Sequence, residues 1–247
     1  MQFAIQKLAK KGWELISPPL MLTRKAYQGV TDIADFENVM YKIEGEDLYM
    51  IATSEHPICA MHMDQTFDLK ELPKKYMGIS PCFRKEIGSR GVDTKGLYRV
   101  HQFYKIEQFV FCRPEESWQF FDEILQNAEE IFQDLKIPYR IINICTGDIG
   151  IVAAKKYDIE AWMPRQKKFG EMVSCSNCTA YQSVRSNIRY QDGEKKDWVH
   201  TLNSTAIATS RALVAILENY QNADGSVTIP EVLRPYMLGK EKLKPIK

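Results

Sequence analysis

Charged side chains alternate along two neighbouring segments of this sequence. Arg84 and Glu86 are two residues apart, and Phe103, Lys105 and Glu107 follow after an intervening loop. Because side chains two apart lie on one face of a strand, pairing of the two segments predicts a surface with a guanidinium, an ammonium, two carboxylates and an aromatic ring. A fold does not need so many charges on one strand face. We therefore interpret the surface as a binding site for a nucleotide and a small zwitterion.

Composition and charge limit the kinds of protein that this sequence can encode. Of the 247 residues, 45% are hydrophobic and 26% are charged, as is typical of a globular domain with a sizeable core. No apolar run approaches the roughly 18 residues of a transmembrane helix, so no membrane partner is expected. Lys7, Lys10 and Lys11 interrupt any signal-peptide core. The six scattered cysteines indicate reduced thiols and a cytoplasmic protein.

Hydrophobic patterning predicts an α+β fold. Strands are expected at residues 13–16, 48–52, 77–83, 102–112, 139–144, 157–162, 170–174 and 184–190. Helices are expected at residues 3–11, 55–63 and 205–220, and between Pro114 and Pro138. Strands seldom alternate strictly with helices, so we expect a mainly antiparallel sheet flanked by helices, in a single domain over residues 1–247.

The clearest helical pattern lies between Pro114 and Pro138. Its apolar residues recur at spacings of three and four: Trp118, Phe121, Leu125, Ala128, Phe132 and Leu135. A coiled-coil seam would have similar spacing, but the pattern covers only about three heptads. We interpret it as a helix packed on the sheet.

Five segments, in order along the chain, resemble motifs of the class II aminoacyl-tRNA synthetases. Residues 12–20 are similar to the second half of the first motif, and residues 53–55 (TSE) resemble the Thr-x-Glu loop that recognises the amino acid. Residues 83–107 resemble the second motif, and residues 202–211 (LNSTAIATSR) resemble the third. Residues 171–189 (EMVSCSNCTAYQSVRSNIR) are similar to a stretch distinctive of seryl-tRNA synthetases. The chain thus resembles the catalytic domain of that family.

This resemblance implies a two-step reaction. ATP would activate L-serine to seryl-adenylate with Mg²⁺ as the cofactor, and serine would then pass to the 3′ end of tRNA(Ser). The serine carboxylate is already ionised, so the first step needs alignment and charge neutralisation but no general base. The planar, permanently charged guanidinium of Arg84 suits a position between that carboxylate and the α-phosphate.

The resemblance also assigns roles to individual residues. Arg84 and Arg211 are expected to be catalytic. The residues expected to bind ATP are Arg84, Glu86, Arg99, Phe103, Glu171, Ser174 and Arg211. Those expected to bind serine are Thr53, Glu55, Arg84, Glu107, Asn203 and Thr205. Glu171 and Ser174 offer the hard oxygen ligands that suit Mg²⁺.

Some features depart from the family pattern. The third motif usually carries glycine where this chain has Ser204 and Ser210. No counterpart of the N-terminal tRNA-binding arm is visible and the first motif is incomplete, so we expect a catalytic-domain fragment that still forms a homodimer. The loop at residues 88–96 is longer than a tight hairpin requires. We expect it to close over ATP and meet the tRNA acceptor end, with a mobile surface loop as the alternative.

Cys175 and Cys178 form a single Cys-x-x-Cys pair. A zinc site would need a matching second pair, and a redox motif would need a thioredoxin-like βαβ context. We therefore expect a structural role for the two thiols and no zinc. The four histidines show no metal-binding spacing, and His101 is expected to orient the second-motif strand.

Two alternative functions compete with serine activation. One is a ligase that loads an activated amino acid onto a carrier protein, which the serine pocket formed by Thr53, Glu107 and Thr205 argues against. The other is a non-catalytic, synthetase-like binding module. The presence of both Arg84 and Arg211 argues against that module.

Overall fold

The structure is a computed structural model that describes residues 1–32, 37–86 and 96–245. Its strands are β1 (Glu14–Ile16), β2 (Met21–Leu22), β3 (Tyr49–Met50), β4 (Thr66–Asp68), β5 (Lys74–Phe83), β6 (Gln102–Cys112), β7 (Tyr139–Asn143), β8 (Lys155–Met163), β9 (Lys168–Thr179), β10 (Arg189–Asp192), β11 (Lys195–Trp198), β12 (His200–Ala208), β13 (Val227–Thr228) and β14 (Lys242–Leu243). Its α-helices are α1 (Gln2–Ala9), α2 (Arg24–Val30), α3 (Glu55–Ala60), α4 (Ser117–Asp134), α5 (Tyr181–Ser186) and α6 (Thr209–Tyr220). Short 3₁₀ helices cover Leu69–Glu71, Pro114–Glu116 and Glu231–Met237.

One large sheet organises the described part of the chain. Its seven strands lie in the order β1-β5-β6-β12-β9-β8-β7. Neighbouring strands are antiparallel except for β1 and β5, which are parallel. The predicted α+β fold with a mainly antiparallel sheet is confirmed. In this sheet Glu107 on β6 lies opposite Gly78 on β5 and Thr205 on β12.

Helix α4 covers one face of the sheet by packing on β12 and β9. Its side chains Phe121, Ala128 and Phe132 are buried in the core cluster between the helix and the sheet. The predicted packing of this helix on the sheet is therefore confirmed. Trp118 was expected on the same face, but it is 49% exposed and touches Phe121 only edge-on, so the buried face begins after it. No helix within the described residues is long and apolar enough to cross a membrane.

A buried chain of amide hydrogen bonds joins α4 to the sheet and to α1. Gln108 Nε2 on β6 donates to the carbonyl oxygen of Ile124 at 2.9 Å, and Asn127 Nδ2 donates to Gln108 Oε1 at 2.8 Å. Lys11 Nζ, just beyond α1, donates to Asn127 Oδ1 at 2.7 Å. Because buried polar groups must be paired, this network fixes how the helix sits on the sheet.

The strand predicted at residues 184–190 is wrong for its first half, which belongs to α5. The β-branched Val184 and Ile188 favour a strand locally, but tertiary contacts override that preference. Ser186 Oγ donates to the carbonyl oxygen of Gly29 on α2 at 2.9 Å. A Cβ atom on Gly29 would lie only 2.5 Å from that hydroxyl, so glycine allows α2 and α5 to meet.

The helix predicted at residues 205–220 begins later than expected. Residues 205–208 continue β12, with Thr205 opposite Glu107 and Ala208 opposite Lys105 across a bulge in the ladder. The sequence predicted a helix here because residues 205–208 continue the helical hydrophobic pattern of α6. In the structure, pairing with the neighbouring strand β6 holds them in an extended conformation. The difference matters, because strand geometry turns Thr205 and Asn203 to the same face.

Two aromatic residues of α4 test which face of the helix is buried. We expect Phe132→Ala to lower the free energy of unfolding by about 3–5 kcal/mol, because it leaves a cavity between helix and sheet. We expect Trp118→Ala to lower it by about 1 kcal/mol or less, because half of that side chain is already in water. Urea denaturation of the two variants measures both values. Equal losses would contradict this assignment of the buried face.

Candidate active site

The twelve side chains predicted to act on ATP and serine all line one cavity of about 370 Å³. They are Thr53, Glu55, Arg84, Glu86, Arg99, Phe103, Glu107, Glu171, Ser174, Asn203, Thr205 and Arg211. The cavity opens on the face of the sheet opposite α4, since alternate residues of β6, β9 and β12 point into it. The structure thus brings together residues that are up to about 160 positions apart in the sequence.

The hairpin of β5 and β6 places the first group. Strand β5 ends at Phe83, so Arg84 and Glu86 follow the strand instead of sharing a strand face, and Glu86 has a left-handed backbone with φ of 54°. Arg84 stays aligned with β6, because its backbone N–H donates to the carbonyl oxygen of His101 at 2.9 Å. Phe103, Lys105 and Glu107 do share one face of β6, as predicted, and all three reach the cavity.

Arg84 is held in place without being neutralised. Its Nε donates to the carbonyl oxygen of Ala52 at 3.3 Å, and its guanidinium carbon lies 5.4 Å from the centre of the Phe103 ring. Within the described residues it forms no salt bridge, in contrast to Arg99, whose Nη1 donates to Glu86 Oε2 at 2.9 Å. An oriented but unpaired guanidinium is suited to bind an anion.

Glu55, Glu107, Asn203 and Thr205 form a carboxylate cluster on one side of the cavity. Glu55 Oε1 accepts hydrogen bonds from Asn203 Nδ2 at 3.1 Å and from Gln182 Nε2 at 2.7 Å. Glu107 Oε2 accepts from Thr205 Oγ1 at 3.2 Å and forms a salt bridge with Lys105. The cluster offers carboxylate oxygens to a small ligand that carries an ammonium and a hydroxyl.

Burial changes the ionisation of Glu55. Desolvation, followed by the charge of Glu107, raises the pKa of Glu55 to about 7. The positive charges of Lys105 and Arg84 and the hydrogen bond from Gln182 act in the opposite direction. Glu55 therefore titrates near neutral pH, and a bound cation would favour its charged form.

Arg211, Glu171 and Tyr98 form a second group, the Arg211 cluster. Arg211 Nη1 donates to the backbone oxygen of Glu171 at 3.0 Å and lies 3.4 Å from its Oε2. The Tyr98 hydroxyl donates to the same backbone oxygen at 3.0 Å, and the Arg211 guanidinium lies over its ring. A ligand phosphate could exchange with Glu171 for this guanidinium.

The oxygen donors on β8 and β9 fit a hard divalent cation. Glu171 and Ser174 line the cavity, and Asp158 lies opposite Ser174 in the β8–β9 ladder. Asp158 is buried, and its Oδ1 has no hydrogen-bond partner among the described residues. Burial, followed by the charge of Glu171, raises the pKa of Asp158 to about 6. A buried carboxylate oxygen without a donor beside two further oxygen donors is the environment that Mg²⁺ would relieve.

The two cysteines of the Cys-x-x-Cys pair do not share a surface. Cys175 lies in the core cluster beneath α4, with its Sγ 4.0 Å from the carbonyl oxygen of Phe121. Cys178 lines the cavity and accepts a hydrogen bond from Asn203 Nδ2 at 3.4 Å. Thiols on opposite sides of a strand cannot ligate one ion, which supports a structural interpretation of the pair.

The two serines that replace family glycines also differ in position. Ser210, in the first turn of α6, lines the cavity, whereas Ser204 is buried opposite Cys175, away from it. His101 Nδ1 and the Tyr41 hydroxyl share a hydrogen bond of 2.6 Å, whose direction depends on the histidine tautomer. This contact fits the predicted role of His101 in orienting the hairpin. Residues 87–95, which include most of the loop expected to close over ATP, lie outside the described residues.

Several cavity residues were not predicted from the sequence. Lys105 was noted only as part of a charged strand face, and Lys156, Tyr98 and residues 149–153 were not considered. Gln182, which contacts Glu55 from outside the cavity, was also missed, because the short helix α5 that carries it was not predicted. Period-two alternation in β8 could have indicated Lys156 and Asp158, since both lie on the face that carries the oxygen donors.

Comparison with known proteins shows the family of this chain. A family model for the tRNA synthetase class II core domain (G, H, P, S and T) matches residues 38–220. The chain belongs to the class II tRNA synthetase core family. We call this chain the synthetase core. It is 65% identical over 245 residues to the serine–tRNA ligase of Methanocella arvoryzae, and the alignment covers 98% of this chain and 58% of that protein.

Solved structures show the same relationship. The synthetase core superposes with a TM-score of 0.96 and 58% identity on the crystal structure of seryl-tRNA synthetase from Pyrococcus horikoshii complexed with ATP, over 100% of this chain and 55% of that one. For the cytoplasmic serine–tRNA ligase from Naegleria fowleri in complex with AMP, the TM-score is 0.93 at 48% identity, over 100% of this chain and 58% of the other. The chain therefore spans about half the length of these relatives, and its predicted resemblance to seryl-tRNA synthetases is confirmed.

The raised pKa of Glu55 predicts a pH-dependent loss of stability in the synthetase core. The folded pKa of about 7 lies above the ordinary value of 4.5. As the pH rises from about 4.5 to 7, Glu55 ionises in the unfolded chain but stays largely protonated in the folded one, so the free energy of unfolding falls over this range. We expect Glu55→Gln, which keeps one oxygen for both amide donors, to remove this penalty. The variant should be more stable than the parent by about 2 kcal/mol at pH 8 and equal to it near pH 4.5.

Denaturant titrations of both proteins between pH 4.5 and pH 8 measure that difference. The raised pKa of Asp158 is common to both proteins and cancels in the comparison. A stability difference that does not grow with pH would contradict the assignment to Glu55.

Proposed function

We propose that this synthetase core activates L-serine with ATP to seryl-adenylate and pyrophosphate, and that serine then passes to the 3′ end of tRNA(Ser). The observation that carries the proposal is the convergence in one cavity of the carboxylate cluster, the Arg211 cluster and the guanidinium of Arg84, which forms no salt bridge within the described residues. The similarity to serine–tRNA ligases over nearly the whole chain supports it. The activity belongs to proteins about twice as long as this chain, and we extend it to the core on these grounds.

In the first step, a serine carboxylate oxygen bonds to the α-phosphorus of ATP as the bond to the bridging oxygen of pyrophosphate breaks. No proton has to be removed from the nucleophile. Arg84 would hold the carboxylate beside the α-phosphate, because its guanidinium is oriented by Ala52 and Phe103. Phe103 would also support the adenine ring, Glu86 and Arg99 would contact the nucleotide, and Arg211 would bind the distal phosphates.

Specificity for serine would come from acceptors for its hydroxyl. Glu107 and Thr205 are joined by a hydrogen bond at the cavity wall and would face that hydroxyl. Thr53 and Glu107 would hold the ammonium, with Glu55 and Asn203 completing the pocket. A site built around a substrate hydroxyl discriminates against an analogue that lacks it by roughly 10⁴ or more, which would exclude alanine.

Glu171 and Ser174 would hold Mg²⁺, with Asp158 adjacent to Ser174. The ion would neutralise charge on the phosphates of ATP. Asp158 Oδ1, which has no hydrogen-bond partner among the described residues, supports this assignment, because nearby positive charge would stabilise it.

The remaining partners and the location of the protein are also proposals. The acceptor end of tRNA(Ser) would approach the loop between β5 and β6, where the second motif lies. A homodimer is supported by the similarity of residues 12–20 to the first motif and by the position of β1 at the edge of the large sheet. The six free thiols support a reducing, cytoplasmic environment.

Replacement of Arg84 tests the adenylation step. We expect Arg84→Ala to lower the rate of serine-dependent ATP–pyrophosphate exchange by about 10³-fold or more, because it removes a charge held in place for the transition state. Arg140→Ala is the matched control, since the Arg140 guanidinium also lies over a phenylalanine ring, that of Phe169, but outside the cavity. We expect the control to retain the parental rate.

The same exchange assay, run with other amino acids, separates the possible functions. Exchange with serine but not with alanine, threonine, cysteine or glycine supports the proposal. Exchange with glycine or alanine would point instead to a ligase that loads a carrier protein. A folded protein that binds ATP but shows no exchange with any amino acid would indicate a binding module.

Replacement of Glu171 tests the cation site. We expect Glu171→Gln to raise the Mg²⁺ concentration needed for half-maximal exchange by about tenfold or more, because a ligand loses its charge. Glu160→Gln is the control, since Glu160 lies opposite Glu171 on β8 but pairs with Arg140 outside the cavity. An unchanged Mg²⁺ requirement in Glu171→Gln would remove Glu171 from the site.

A further inference from the structure

A series of buried hydrogen bonds leads from β12 through α5 to Glu55 of the carboxylate cluster. Thr201 Oγ1 on β12 donates to Gln182 Oε1 on α5 at 2.7 Å, and Gln182 Nε2 donates to Glu55 Oε1 at 2.7 Å. The same Gln182 nitrogen donates to the carbonyl oxygen of Val30 on α2 at 3.2 Å. Thr201 and Gln182 are completely buried, so neither can exchange these partners for water.

These partners allow only one orientation of the Gln182 amide. Its nitrogen faces two acceptors, the backbone carbonyl of Val30, which can only accept, and the Glu55 carboxylate, which can only accept when ionised. Rotation of the amide by a half-turn would place its oxygen against both of them, remove the donor from the Val30 carbonyl and leave Glu55 Oε1 with Asn203 alone. The Thr201 hydroxyl then satisfies the Gln182 oxygen. Gln182 therefore presents a fixed donor to Glu55.

The fixed donor orients Glu55. One carboxylate oxygen, Oε1, accepts from both Gln182 and Asn203. Within the described residues the other oxygen, Oε2, has no hydrogen bond, and Glu55 lines the cavity. A carboxylate with one oxygen fully engaged cannot rotate freely, so its second oxygen remains available to a ligand.

We propose that Gln182, locked by Thr201 and Val30, is a positioning residue that fixes Glu55 as an acceptor for the amino acid substrate. It acts through Glu55 and does not itself line the cavity. The proposal rests on serine activation as the function of the site. It also explains why α5 packs closely on α2, because that packing brings Gln182 to the Val30 carbonyl.

Removal of the amide should affect serine binding but not ATP binding. We expect Gln182→Met, which preserves the size of the side chain, to raise the KM for serine by about 10- to 100-fold, the range for loss of a hydrogen bond to a charged group. The KM for ATP should stay within about twofold, because the ATP contacts are not shared. Thr201→Val, a nearly isosteric change, should raise the serine KM in the same direction by a smaller factor.

Gln108→Met is the matched control. Gln108 is equally buried, and its nitrogen also donates to a backbone carbonyl, but it lies beneath α4 on the opposite face of the sheet. Both Gln→Met variants should lose stability, and only Gln182→Met should lose serine affinity. Unchanged serine KM values in both Gln182→Met and Thr201→Val would overturn the proposal, as would an equal effect in Gln108→Met.

A second measurement does not depend on activity. The Glu55 carboxyl can be titrated by ¹³C NMR in protein labelled at glutamate and assigned with Glu55→Gln. Within the described residues, the ionisable groups coupled to it are Glu107, Lys105, Arg84, Cys59 and Cys178. These groups are unchanged in Gln182→Met, so loss of the donor should raise the pKa of Glu55, by about one unit, and move the acid limb of the serine kcat/KM profile upward with it.

The two measurements distinguish failure of the inference from failure of the function. If the parental protein shows no serine-dependent exchange, the proposed function fails, and the titration alone decides whether Gln182 controls Glu55. A Glu55 titration that is identical in the parent and in Gln182→Met would show that the amide does not act on the carboxylate.

Discussion

The antiparallel register of β6 between β5 and β12 is the constraint on which the cavity depends. It places Glu107 opposite Gly78 on one side and Thr205 on the other. A slip of one residue would turn Phe103, Lys105 and Glu107 into the core and bring apolar side chains to the cavity. Gly78 contributes a second constraint, because a Cβ atom there would lie 2.5 Å from Ser54 Oγ. The absence of that atom lets the start of α3 approach the sheet, and so brings Glu55 near Glu107.

This arrangement places two carboxylates close together in a desolvated site, which opposes folding. The salt bridge from Lys105 to Glu107, the positive charge of Arg84 and two amide donors on Glu55 offset the repulsion only in part, since the pKa of Glu55 remains raised to about 7. An ammonium ion entering the cavity would supply the missing positive charge. The repulsion between the carboxylates would therefore favour a cationic ligand over a neutral one, so that selectivity in the proposed site would come at the expense of stability.

The parts of the fold that follow from local patterning could be predicted, and those set by tertiary contacts could not. Strand β6 matched its predicted bounds because its alternation is strong, and the cavity residues were found because the motif resemblance names them individually. Gln182 was hidden because α5 exists through its contact with Gly29, which local propensity does not reveal. Residues 205–208 read as helix because only their pairing with β6 makes them a strand. Asp158 carried no motif, and its significance lies in one oxygen, Oδ1, that has no hydrogen-bond partner among the described residues, which no sequence pattern reveals.

The ion pairs in the two charged clusters of the cavity differ in burial, and therefore in the free energy needed to break them. Lys105 and Glu107 have side chains only 7% and 2% exposed, so breaking their salt bridge would leave a buried charge without a partner. Arg211 and Glu171 are 23% and 48% exposed, and an ion pair of this kind contributes about 0–1 kcal/mol. Exchange of Glu171 for a phosphate at Arg211 therefore costs little, whereas rearrangement around Glu107 would cost much. Under the proposed function, the carboxylate cluster would therefore be formed before the substrates arrive, whereas the Arg211 cluster would adjust to the nucleotide.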